Sequence, residues 1–137
     1  MEKRIIDTNL IIRYLINDQP THYKKARDFF DLVKLGKIKA ILEQTVFTET
    51  ILVLNNIYER PRDKISQTLS SLLSYKGIYN YEKEVLLDSL SIYSATNLHI
   101  VDCIILAKTK LQEIAIQSFD QELLKHYQSL KPEQPTT

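Results

Sequence analysis

Four carboxylates stand where an acid is either costly or conspicuous. Asp7 follows the short apolar stretch Arg4-Ile5-Ile6 and precedes two small polar residues, Thr8 and Asn9, while Asp120 closes the apolar stretch 114–119. Glu49 has Val46, Leu52 and Val53 as its helical neighbours at −3, +3 and +4, which places it on or beside a buried stripe. Asp102 is the only charge in Leu98-His99-Ile100-Val101-Asp102-Cys103-Ile104-Ile105-Leu106-Ala107. Burying a carboxylate is expensive unless it is paired or binds a metal. Four acids converging on one crevice would therefore make a metal site. Hard oxygen donors without a histidine or cysteine cluster suit Mg²⁺ or Mn²⁺ better than zinc, and His22, His99 and His126 are scattered without ligand spacing.

Each acid also has a structural role open to it. Asp7 and Asp120 follow strand candidates and can act as N-caps for the next helix, although Asn9 could cap in place of Asp7. Glu49 could pair with a cation such as Arg13, and Asp102 lies near enough to a helix start to be a cap. Cys103, one helical step away, reads as a core residue.

The elements that would position these residues follow from periodicity. Lys3–Ile6, Lys39–Leu42, Ile78–Tyr81 and Ile114–Phe119 read as strands. Helical spacing covers Asn9–Asn17, a second helix from Pro20 to about Leu35 ended by Gly36, Val46–Tyr58 stopped by Pro61, and Arg62–Tyr75. Further helices are expected over Glu82–Thr96, Ile100–Leu111 and Glu122–Tyr127. Strands alternating with helices imply parallel pairing, hence a three-layer α/β/α sandwich around a short sheet of four or five strands. Ligands of such sheets bind beyond the carboxyl ends of the strands, where the acids after β1 and the last strand would face each other.

Length and composition set the frame. The 137 residues suit one domain, expected over 1–130, with a polar tail 131–137 expected to be disordered. No apolar run approaches the roughly 20 residues of a membrane span, and the start Met1-Glu2-Lys3-Arg4 leaves no room for a signal peptide, so a cytoplasmic protein is expected. The single cysteine agrees with a reducing compartment. Two glycines in the whole chain exclude the phosphate-cradling glycine loops. The net charge of +1 hides an asymmetry: residues 1–81 hold 13 Lys and Arg against 9 Asp and Glu, and residues 82–137 hold 5 against 8. Lys24, Lys25, Arg27, Lys34, Lys37 and Lys39 could track a phosphate backbone or simply be a solvated face.

The chain resembles the PIN-domain nuclease family, and within it the VapC-type toxins of prokaryotic toxin–antitoxin pairs. The carriers are Ile6-Asp7-Thr8-Asn9 with the following Leu-Ile-Ile-Arg-Tyr-Leu, Thr48-Glu49-Thr50 leading to Val53-Leu54, the apolar run 100–107 around Asp102, and Ser118-Phe119-Asp120. All four motifs occur in order and span Ile5 to about Tyr127. The resemblance implies that Asp7, Glu49, Asp102 and Asp120 line an acidic pocket holding one or two Mg²⁺ or Mn²⁺ ions and hydrolysing RNA phosphodiester bonds. It makes Asp7 and Asp102 the central ligands, with Thr8, Asn9 and Ser118 holding waters or carboxylates behind them. It also implies a homodimer and an inhibiting antitoxin protein, for which Phe29-Phe30 and Ile65–Leu73 are possible contact surfaces, although intramolecular core explains most of those residues.

Two departures bear on the transfer. Many relatives carry a further acid just before the third motif, where this chain has Leu98-His99, and many end in a fifth strand where Gln121–Leu130 reads as helix. A dehalogenase-type phosphatase would need an acid at position 9, which is asparagine here, and a receiver domain would need adjacent acids after its first strand. A PIN-like module that only binds RNA or a protein is the remaining alternative.

Overall fold

The β-branched and apolar stretches form the strands, and punctuation by proline and glycine sets the helices between them. A computed structural model describes residues 1–130. Its elements run β1 (Lys3–Ile5), α1 (Thr8–Leu15), α2 (Pro20–Lys34), β2 (Lys39–Ile41), α3 (Gln44–Asn56), α4 (Arg62–Leu73), β3 (Ile78–Tyr79), α5 (Lys83–Ala95), α6 (Ile100–Gln112) and α7 (Gln121–Leu130). The chain divides into two compact units, Met1–Lys83 and Glu84–Thr137.

In the first unit the strands form a parallel sheet of order β1-β2-β3, with Lys3 opposite Lys39, Ile5 opposite Ile41 and Ala40 opposite Ile78. The helix α2 shows how the sequence draws its own boundaries. Pro20 occupies the first turn, where its missing N–H costs nothing, and Gly36 takes φ +76° just past the end. Gly36 N–H then bonds Val33 O at 3.0 Å and Lys37 N–H bonds Leu32 O at 2.9 Å, the paired closure that satisfies the last carbonyls. Between them Ala26, Phe30 and Val33 point inward.

A second glycine serves a different need. A Cβ at Gly77 would stand 2.1 Å from Ile38 O and 2.7 Å from Val33 O, so only a residue without a side chain lets β3 approach α2 and β2. On α4 Ile65, Leu69, Leu72 and Leu73 are all buried, as is Phe30 on α2, so these apolar residues are core rather than contact surface.

The second unit is helical. Val85, Leu86, Leu90, Ile92 and Tyr93 of α5, and Ile100, Cys103, Ile104, Leu106 and Ala107 of α6, are buried. Helix α6 ends at Glu113, which takes the left-handed φ of 54°, and Ile114 N–H closes back on Thr109 O at 3.2 Å.

The α/β class holds, but the sheet has three strands among the described residues, not four or five. The missing strand is Ile114–Phe119, which has no regular structure. Its composition suits a strand, yet Ile114 is 57% and Phe119 96% exposed, and without a paired neighbour β-propensity alone does not make a strand. The stretch 131–137, expected to be disordered, lies outside the described residues.

Candidate metal centre

In the first unit β1 delivers Asp7 at the carboxyl edge of the sheet. Its backbone is extended and its Oδ1 accepts from Leu10 N–H at 2.9 Å, so it is the N-cap of α1. The capping role is therefore real, and Asn9 does not share it: Asn9 Oδ1 accepts from Arg13 Nε at 3.2 Å. One cap bond leaves Oδ2 of Asp7 unengaged. Beside it, Thr8 Oγ1 is buried without a hydrogen-bond partner. Leaving such a hydroxyl unpaired costs roughly 1–3 kcal/mol, which a water or the hydration shell of a cation would remove.

Glu49 lies exposed on α3, against the expectation of a buried stripe. The buried line of this helix is Phe47, Thr50, Ile51 and Leu54, and it passes to one side of residue 49. Its neighbours Val46, Leu52 and Val53 are only half-buried. Arg13 is not its partner, because that guanidinium bonds Asp18 at 2.9 Å and the Tyr58 hydroxyl at 3.4 Å.

The same strand-end logic that singled out Asp7 also reaches residues the sequence reading passed over. Because Ile5 pairs with Ile41, Glu43 follows the end of β2 by two residues, as Asp7 follows the end of β1. It occupies the N-cap position of α3 but its side chain makes no cap bond. At the end of β3, Asn80 is buried and donates to Leu42 O at 2.8 Å, and Lys83 Nζ donates to Ile78 O at 3.0 Å. Burial holds the Lys83 ammonium below its ordinary pKa. The signal for Glu43 was legible, since it too follows a strand candidate; that for Lys83 depends on burial.

In the second unit Asp102 occupies the first turn of α6, with His99 at the N-cap position. It is thus not itself the cap. Burial raises its carboxyl above the ordinary range, the charge of Asp120 raises it further, His99 opposes this and Glu122 adds to it. Burial and the two neighbouring acids thus outweigh the one opposing imidazole, His99. Asp120 is exposed and accepts from Leu123 N–H at 3.0 Å, starting α7, while its own N–H donates to Ser118 Oγ at 3.0 Å. Ser118 thus fixes the backbone that carries Asp120. Cys103 is buried and free, as a core residue should be.

The donor set of carboxylates with an orphaned hydroxyl fits a hard divalent cation. Among the described residues, however, no group of three or more His, Cys, Asp or Glu side chains stands close enough to hold an ion as placed. The structure joins Asp102 to Asp120 and Glu122 electrostatically within one unit, and joins Asp7 to Thr8 at one strand end in the other.

A parallel sheet with an acid after its first strand, followed by helices bearing further acids, defines an α/β protein. The PIN domain family model matches residues 4–129, and the chain belongs to that family. PIN domains are generally nucleases, and as a family they generally use divalent metals such as Mg²⁺. No curated protein and no solved structure matches the chain. Among the described residues no helix is long and apolar enough to cross a membrane.

Proposed function

We propose that the chain is a metal-dependent endoribonuclease, the toxin of a toxin–antitoxin pair, with Asp7, Glu49, Asp102 and Asp120 holding one or two Mg²⁺ or Mn²⁺ ions. One observation carries this reading: among the described residues none of these four acids is in an ion pair. At Asp102 the charges of Asp120 and Glu122 disfavour the ionised carboxyl, and a cation would relieve that repulsion.

When bound, a divalent ion supplies Lewis acidity that makes a water acidic near neutral pH and offsets charge on the scissile phosphate. The chain's own residues then divide the work. Leu10 N–H fixes the Asp7 carboxylate through Oδ1, leaving Oδ2 to point elsewhere. Thr8 Oγ1 orients a water beside it. Asp102 and Asp120 supply a second pair of oxygens, with Ser118 steadying Asp120. Glu49, exposed and unpaired, is free to take a proton from the attacking water. An antitoxin partner, a homodimer and a cytoplasmic setting belong to the same proposal and rest on the resemblance of the four motifs to VapC-type toxins.

The absence of a three-acid cluster among the described residues favours a second reading, a PIN-like module that binds RNA or protein without cutting it. Cleavage assays separate the two. Wild-type protein should cut RNA with Mg²⁺ or Mn²⁺ and not in chelator. Asp7→Asn and Asp102→Asn should each lower the rate by more than the roughly 10–100-fold that losing an outer partner costs. Undiminished cleavage by the folded double variant would remove these acids from the site, and no cleavage by wild type at any metal concentration would support the binding module.

A further inference from the structure

Two cavities of the Met1–Lys83 unit abut, sharing Leu15 and Thr68 as walls. The first, about 330 Å³, has an apolar floor of Leu15, Ile16, Leu54 and Ile65, with Arg60 and Lys64 among its lining. Neither cation has an ion-pair partner among the described residues. The turn that presents Arg60 is built for it: Glu59 takes the left-handed φ of 53°, Arg60 N–H bonds Leu54 O at 3.0 Å, and Asn55 Nδ2 bonds Arg60 O at 3.2 Å.

The second cavity, about 450 Å³, is lined by Tyr14, Tyr23 and Tyr75 together with Gln67 and Ser71. Tyr14 is anchored, stacked on Phe30 with ring centroids 4.4 Å apart and hydroxyl-bonded to Tyr75 at 2.7 Å. Lys34 Nζ lies 5.0 Å from the centre of the Tyr75 ring, adding a cation beside the aromatic wall. Aromatic rings next to hydroxyl and amide groups, continuous with unpaired cations, match the chemistry of single-stranded nucleic acid: flat bases, sugar hydroxyls and a regular negative charge. Arg60 and Lys64 at one end and three tyrosines at the other give the groove both the charge and the flat surfaces that a polyanion with bases needs.

We propose that this groove is a track for single-stranded RNA, with bases stacking on Tyr23 and Tyr75 and phosphates pairing with Arg60 and Lys64. The proposal rests on the ribonuclease reading and extends its substrate site. Tyr14 follows Asp7 by seven residues on α1, about 10 Å along the helix axis, so RNA in the groove passes within a few nucleotides of that acid.

The test is fluorescence anisotropy of a labelled single-stranded RNA of about 12 nucleotides, titrated with the full chain in chelator so that nothing is cut. Tyr23→Ala and Tyr75→Ala should each weaken binding by about 10-fold. Arg60→Gln combined with Lys64→Gln should lower the slope of log affinity against log salt by about 0.7 per cation. The cation variants alter exposed residues, so they keep the question open to answer even if a tyrosine variant unfolds. Unchanged affinity with an unchanged salt slope would overturn the track, and is what a groove seating a protein segment would give. If wild type cuts RNA in Mg²⁺ while every variant binds normally, the track falls and the nuclease reading stands; binding lost in the variants with no cutting by wild type gives the reverse.

Discussion

Asp7 shows how one residue can satisfy a structural and a chemical demand together. Its Oδ1 caps α1 through Leu10 N–H, and asparagine caps as well as aspartate, so Asp7→Asn removes charge while sparing the helix. Asp102 is the residue whose own energetics can be read. Its carboxyl is raised by burial, by Asp120 and by Glu122, so the ionised form is disfavoured in the fold. Metal-free protein should therefore lose stability as pH rises from the ordinary carboxylate value, near 3.9 in the unfolded chain, through the raised value in the fold. Asp102→Asn should melt at a higher temperature than wild type at pH 7 in chelator, with the gain gone in acid below both values; equal melting at both pH values would contradict the account. The anomaly of a lone acid in an apolar run was legible in the sequence, and so was its need for a partner. The resemblance set Asp120 beside it; Glu122 was not foreseen, because it comes from another helix, α7. Glu49 marks the opposite failure, since apolar residues at −3, +3 and +4 bracket it, yet the buried line runs through Phe47, Thr50, Ile51 and Leu54.

At the scale of elements, local punctuation was readable and pairing was not. Pro20, Gly36 and Pro61 mark helix boundaries through backbone chemistry confined to a few residues, and α2 begins at Pro20 and closes at Gly36 as that chemistry requires. The stretch 114–119 has strand composition, but a strand exists only through hydrogen bonds to a distant neighbour, which residue types do not encode. Gly77 makes the tightest claim about packing. Gly77→Ala would drive a Cβ against Ile38 O and Val33 O, both backbone atoms that cannot rotate away. It should destabilise the protein by about 1–3 kcal/mol or more, seen as a lower urea midpoint with an unchanged slope. A neutral result would mean that β3 does not approach α2 as described.

For the whole molecule, charge and architecture divide along the chain. The basic excess of the first 81 residues lies in the unit that holds the sheet, Asp7, Glu49 and the tyrosine-lined groove, and the acidic excess lies with Asp102 and Asp120. The proposed activity assigns its metal ions to Asp7, Glu49, Asp102 and Asp120. Titration calorimetry with Mn²⁺ tests this most directly. Wild type should bind one or two ions, and Asp7→Asn and Asp102→Asn should each weaken binding by at least about 10-fold. Undiminished Mn²⁺ affinity in either folded variant, or no binding by wild type, would contradict that assignment.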